Sequence, residues 1–202
     1  VTGPAGTGKT VIAVEAFKSS ILEGKKIGLI CFNRLLGKRL QTDLGKFIET
    51  NNASDRAFVS TFHNLLLNIA GIGVPESADN VFWREELPEI ALNNLLAGDR
   101  TPKIFCDLDK VIVDEAQDLM LPQYLDCLEA LIKSSLSKSE WLLLGDFKNQ
   151  SIYEGDINEL EVRASSTYTQ TKLTKNCRNS GQVVGQINLV FSVQPPYKSF
   201  LP

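Results

Sequence analysis

The chain has 202 residues, of which 43% are hydrophobic and 22% charged, with a formal net charge of −3. These proportions belong to an ordinary globular domain with room for one buried sheet, and they exclude a disordered, collagen-like or disulfide-scaffold chain. No apolar run approaches the ~20 residues of a membrane span, so no membrane partner is expected.

The four cysteines, Cys31, Cys106, Cys127 and Cys177, are scattered without a C-x-x-C pair, which reads as reduced thiols in a cytoplasmic protein. A single histidine makes a zinc site a poor expectation. The acidic balance gives no global sign of nucleic-acid binding. Lys25, Lys26, Arg34, Lys38 and Arg39 form one local basic cluster, which fits either a solvated surface or a binding groove.

In chain order, the first feature is Gly3-Pro4-Ala5-Gly6-Thr7-Gly8-Lys9-Thr10, which fits the phosphate-loop pattern G-x-x-x-x-G-K-[ST]. Glycines let backbone N–H groups approach phosphate oxygens with no Cβ in the way. Lys9 supplies positive charge to the β- and γ-phosphates, and Thr10 offers a hydroxyl to Mg²⁺. The helix that follows points its positive end at the anion. Only Val1 and Thr2 precede the loop, so its launching strand is expected beyond the N-terminus, in a longer protein.

Apolar spacing predicts a helix over 9–23, a strand over 26–32, a helix over 35–48, a short strand over 58–60 and a helix over 64–70. The stretch 71–108 reads as a small, partly helical insertion, with a helix at 83–96. An apolar strand over 111–113 delivers Asp114 and Glu115. A helix over 122–134, strands over 141–144 and 167–173, and a last helix over 181–191 complete the pattern. Residues 193–202 read as a linker. Continuous apolar strands alternating with helices predict an α/β fold with a mostly parallel sheet covered on both faces.

Two acids at the C-terminal end of a buried strand stand where α/β sheets bind ligands. Asp114 is the candidate metal ligand beside Thr10, and Glu115 the base that orients and deprotonates water. The strand over 141–144 ends in Gly145-Asp146, with Gln150 just beyond, placed to sense a γ-phosphate. In Asn176-Cys177-Arg178-Asn179-Ser180, Arg178 is a candidate arginine finger.

Taken together, the phosphate loop, Asp114-Glu115-Ala116-Gln117-Asp118, Gly145-Asp146 with Gln150-Ser151-Ile152-Tyr153, and Asn176-Cys177-Arg178-Asn179-Ser180 resemble the N-terminal motor domain of superfamily 1 helicases of the UvrD/Rep type. Ile30-Cys31-Phe32-Asn33-Arg34 and Ser60-Thr61-Phe62-His63-Asn64 resemble its single-strand-contacting segments. The wording of the acidic motif is similar to the subgroup fused to nuclease-related domains. The resemblance implies a RecA-like ATPase domain over residues 1–192, with ATP and Mg²⁺ held by Gly3 to Thr10 and Asp114. It implies water activation by Glu115 and γ-phosphate reading by Gln150 and Arg178. It further implies single-stranded DNA near Phe32, Asn33, Thr61, Phe62, His63 and Tyr153, and a second RecA-like domain as partner.

Val11 and Cys177 stand where that family clamps adenine with an arginine and a tyrosine, which predicts weak base discrimination. Glu154-Gly155-Asp156 replaces a tryptophan-bearing stretch, so base gripping there is reduced. A nucleotide-dependent switch that holds a protein partner is the alternative reading. An inactive remnant is disfavoured by the intact Lys9, Thr10, Asp114, Glu115, Gln150 and Arg178.

Overall fold

The computed structural model describes residues 1–98, 101–147, 160, 163, 168–191 and 198–201. Four strands form an all-parallel sheet: β1 (Ile27–Cys31), β2 (Ala57–Thr61), β3 (Lys110–Asp114) and β4 (Glu140–Leu144), in the order β2-β1-β3-β4. Cys31 pairs with both Thr61 and Asp114, and Asp114 with Leu144. All four strands therefore end at one level, and their C-terminal ends make one edge. The fold is the expected α/β architecture.

The helices are α1 (Lys9–Leu22), α2 (Arg34–Thr50), α3 (Phe62–Ala70), α4 (Leu87–Ala97) and α5 (Pro122–Ala130). Strand side chains alternate between the two faces, and the core divides accordingly. Ile27, Leu29, Cys31, Ile112 and Leu144 pack with Phe17, Ile21, Leu40 and Leu44 of α1 and α2. Ile30, Val111, Val113 and Leu143 pack with Phe62, Leu66, Ala91, Tyr124 and Leu128 of α3, α4 and α5. Continuous apolar strands are what a sheet buried on both faces requires.

The insertion is part of this second layer. A turn of π-helix at Phe82–Glu86 runs into α4, and Phe82, Leu87 and Ala91 are buried against α3 and α5. Helix α5 stops at Ala130, short of the expected 134. The reason is a competing backbone pairing: Leu108 donates to the Leu131 carbonyl and accepts from the Lys133 amide, which draws this stretch out of helix.

Thr2 bridges two neighbouring segments in parallel. Gly145 donates to the Val1 carbonyl and Gly3 to the Gly145 carbonyl, while Thr2 donates to Thr171 and accepts from Leu173 on its other side. Of the strand expected over 167–173, the described residues form a bridge at Lys172. The next strand is instead β5 (Lys175–Ser180), followed by helix α6 (Gly181–Phe191) as expected. Lys198–Leu201, read from sequence as linker, forms β6, parallel to β5.

Candidate nucleotide site

The phosphate loop leaves the sheet between β4 and the 171–173 segment and enters α1. Gly6 and Gly8 have φ of +83° and +92°, a region costly for any residue with a Cβ. A Cβ on Gly8 would meet nothing within 4 Å, so at that position the requirement is conformational rather than steric. Lys9 is 5% exposed, and its Nζ donates to the Gly3 carbonyl at 2.7 Å and the Pro4 carbonyl at 3.2 Å. Thr7 Oγ1 also donates to Pro4, at 2.8 Å. The loop is thus held in shape by its own side chains.

Thr10 Oγ1 lies 2.6 Å from Asp114 Oδ2, across 104 residues of sequence. Asp114 is fully buried, and burial pushes its carboxyl above the ordinary carboxylate range, opposed by the Thr10 hydrogen bond. A hydroxyl beside a desolvated carboxylate, with Lys9 alongside, is the hard-oxygen donor set Mg²⁺ takes next to phosphates. These residues fit a magnesium–nucleotide complex.

Glu115 sits in left-handed conformation at φ +56°, with its amide donating to its neighbour's Asp114 Oδ1 at 3.1 Å. That turn ends β3 abruptly. Gln117 Nε2 donates to Glu115 Oε2 at 3.0 Å, and Gln117 Oε1 accepts from the Asp146 amide at 3.1 Å. Gln117 is 3% exposed and ties the two acidic strand ends together. A Cβ on Gly145 would lie 2.7 Å from Gln117 Oε1, so a side chain there is excluded by this tie.

Arg178 is exposed, and its Cβ lies 3.0 Å from where a Gly6 Cβ would stand. Its Cβ therefore flanks the loop. Gln150 and Tyr153 lie outside the described residues. Sequence reasoning passed over Gln117 and Asn176. Both are buried polar residues inside motifs already singled out, and only their burial against a motif partner distinguishes them.

The expected DNA-contacting residues divide. Phe32, Asn33 and His63 stand at the C-terminal edge of the sheet, with Asn33 exposed and capping α2 through the Leu36 amide at 3.0 Å. Thr61 and Phe62 are buried, Phe62 fully, so they belong to the core rather than to a contact surface. His63 is ringed by Phe32, Trp83 and Tyr124 at centroid distances of 5.1, 5.0 and 6.0 Å. Burial lowers its pKa to about 4. Tyr124 Oη donates its one proton to the Trp83 carbonyl at 3.1 Å, so its contact with His63 Nε2 at 3.4 Å requires the Nε2–H tautomer.

The basic cluster divides as well. Lys25 pairs with Glu23 and Glu140, and Lys26 Nζ donates to the Lys103 carbonyl, both at the N-terminal end of β1. Arg34, Lys38 and Arg39 are exposed on α2, at the other end. All four cysteines are free thiols, and burial raises Cys31 and Cys127 to about 12. Among the described residues no helix is long and apolar enough to cross a membrane.

No curated protein matches the chain. The family described as AAA domain matches residues 1–156, from the phosphate loop through both acidic strand ends. This domain occurs in UvrD/Rep-like helicases and in related P-loop proteins. Since the match covers most of the sequence and the geometry at Thr10 and Asp114 agrees with it, the chain belongs to the AAA domain family.

Proposed function

We propose that the chain is the ATP-binding and hydrolysing half of a superfamily 1 DNA helicase or translocase, coupling ATP hydrolysis to movement on single-stranded DNA. The observation that carries the reading is the 2.6 Å contact between Thr10 and Asp114, which joins the phosphate loop to the acidic strand end. Bound Mg²⁺ supplies positive charge to the phosphate oxygens. Lys9 neutralises a further share of that charge. Glu115 accepts a proton from the attacking water, and Gln117 fixes the direction of its carboxylate. Arg178, beside Gly6, and Gln150 read the γ-phosphate.

Phe32, Asn33 and His63, with the exposed Arg34 and Lys38 of α2, form the single-strand contact on this reading, joined by Tyr153. Thr61 and Phe62 support them from the core. A second RecA-like domain completes both the nucleotide site and the DNA track, in a cytoplasmic protein.

The test is ATP hydrolysis by the full-length protein with and without single-stranded DNA, beside Glu115→Gln. The expected result is turnover that rises several-fold with DNA and is lost in the variant. Nucleotide binding with DNA-independent turnover would move the assignment to a switch that holds a protein partner. A hundredfold preference for ATP over GTP would overturn the weak base discrimination inferred from Val11 and Cys177.

A further inference from the structure

Asn176 is 2% exposed and lies 171 residues from the loop it touches. Its Nδ2 donates to the Ala5 carbonyl at 2.9 Å. The next residue's amide, Cys177 N–H, donates to the Gly6 carbonyl at 2.7 Å. A trans peptide unit points its N–H opposite to its C=O. Holding the Ala5 and Gly6 carbonyls toward β5 therefore turns the amides of Gly6 and Thr7 away from it, side by side. Successive N–H groups facing one way are what an anion-binding nest consists of.

The contact leaves no slack. A Cβ on Gly6 would lie 2.8 Å from Asn176 Oδ1 and 2.9 Å from Nδ2. The same side chain has a second task. Oδ1 accepts from the Arg178 amide at 2.9 Å and from the Asn179 amide at 2.8 Å, forming the turn from which Arg178 leaves the backbone beside Gly6.

We propose that Asn176 is a positioning residue of the phosphate site, setting the direction of the Gly6 and Thr7 amides and the turn that presents Arg178 to a nucleoside di- or triphosphate. The proposal rests on the nucleotide-binding reading above. Asn176 touches no reacting atom. It acts through the loop's backbone on one side and through Arg178 on the other.

The test compares Asn176→Ala, Asn176→Asp and Lys9→Ala by calorimetric titration with MgADP, together with the amide resonances of Gly6 and Thr7 before nucleotide is added. Asn176→Asp keeps the acceptor for Arg178 and Asn179 but removes the donor to Ala5. Asn176→Ala removes both without adding charge. Both Asn176 variants are expected to bind MgADP on the order of ten-fold more weakly, as for loss of a buried hydrogen bond. Both are expected to move the Gly6 and Thr7 resonances, which a merely stabilising residue would leave in place.

Binding by Asn176→Ala within two-fold of the unmodified chain overturns the proposal. So does weakening confined to Asn176→Asp, which would assign the effect to added charge. If Asn176→Ala does not fold, Asn176→Asp measured near 1 M salt, where the added charge is screened, decides the same point. Unaltered MgADP binding by Lys9→Ala would instead sink the nucleotide reading itself.

Discussion

Glu115 carries the largest tension between stability and chemistry at the level of single residues. Its φ of +56° is a conformation that costs a non-glycine residue on the order of 1 kcal/mol. Glu115→Gly should therefore raise stability by about 0.5–1 kcal/mol in urea unfolding while abolishing turnover. Equal or lower stability would show that the side-chain hydrogen bond from Gln117 outweighs the strain. Gln117 makes a complementary case. It touches Glu115 and the Asp146 amide but none of the loop residues for which a contact is described. Gln117→Ala should lower kcat by about ten-fold with KM little changed, since it disturbs the base and not phosphate binding. A rise in KM alone would place it in binding instead.

Much of this site was legible at the residue level because a phosphate loop needs fixed residue types at fixed spacings. The Thr10–Asp114 pairing follows from two such motifs. Gln117 and Asn176 were not legible. A buried amide side chain and an exposed one look the same in sequence, and only packing distinguishes them. Phe62 is ambiguous in sequence for a related reason: an aromatic residue beside a strand end suits stacking on a base and suits filling a core, and here its side chain is buried.

Between elements, α2 approaches β2 closely at Gly37. A Cβ on Gly37 would stand 2.5 Å from Thr61 Cγ2 and 3.1 Å from Cys31 Sγ. Both of these neighbours are buried and cannot swing aside. Gly37→Ala should cost about 1–3 kcal/mol in urea unfolding, as overpacking does. Gly45 lies two turns further along the same helix, and its Cβ would meet nothing within 4 Å. Gly45→Ala should stabilise by about 0.5–1 kcal/mol, the helix propensity difference alone. If both changes destabilise, the spacing of α2 from the sheet does not explain Gly37. The helices and four sheet strands were readable from apolar periodicity, within a few residues. The strand expected over 167–173 was not: among its described residues only a bridge at Lys172 is formed.

For the molecule as a whole, His63 makes stability depend on pH. Its pKa is about 4 in the folded chain and ordinarily near 6.5, so below pH 6.5 the unfolded chain binds a proton that the folded chain refuses. This contribution is fully present above about pH 6.5, falls as pH drops and levels off below about pH 4, with a span of about 3 kcal/mol. Carboxylates in ion pairs, such as Asp109 with Lys133, also weaken in acid. The informative quantity is therefore the difference between the unmodified chain and His63→Gln at each pH. A difference that stays flat from pH 7 to pH 4.5 would mean that the ring is protonated within its aromatic surround.

That surround has an optical consequence. The chain has two tryptophans, and one of them, Trp83, faces His63 at 5.0 Å while the other, Trp141, packs on Tyr168 at 5.5 Å. Trp83 is linked through that imidazole to Phe32 at the C-terminal edge of the sheet, whereas Trp141 belongs to β4. With Trp141 replaced by phenylalanine, the emission of Trp83 becomes a built-in fluorophore for this edge. Its intensity should respond to the charge of His63 and to anything that settles against Phe32, with no dye attached to the protein.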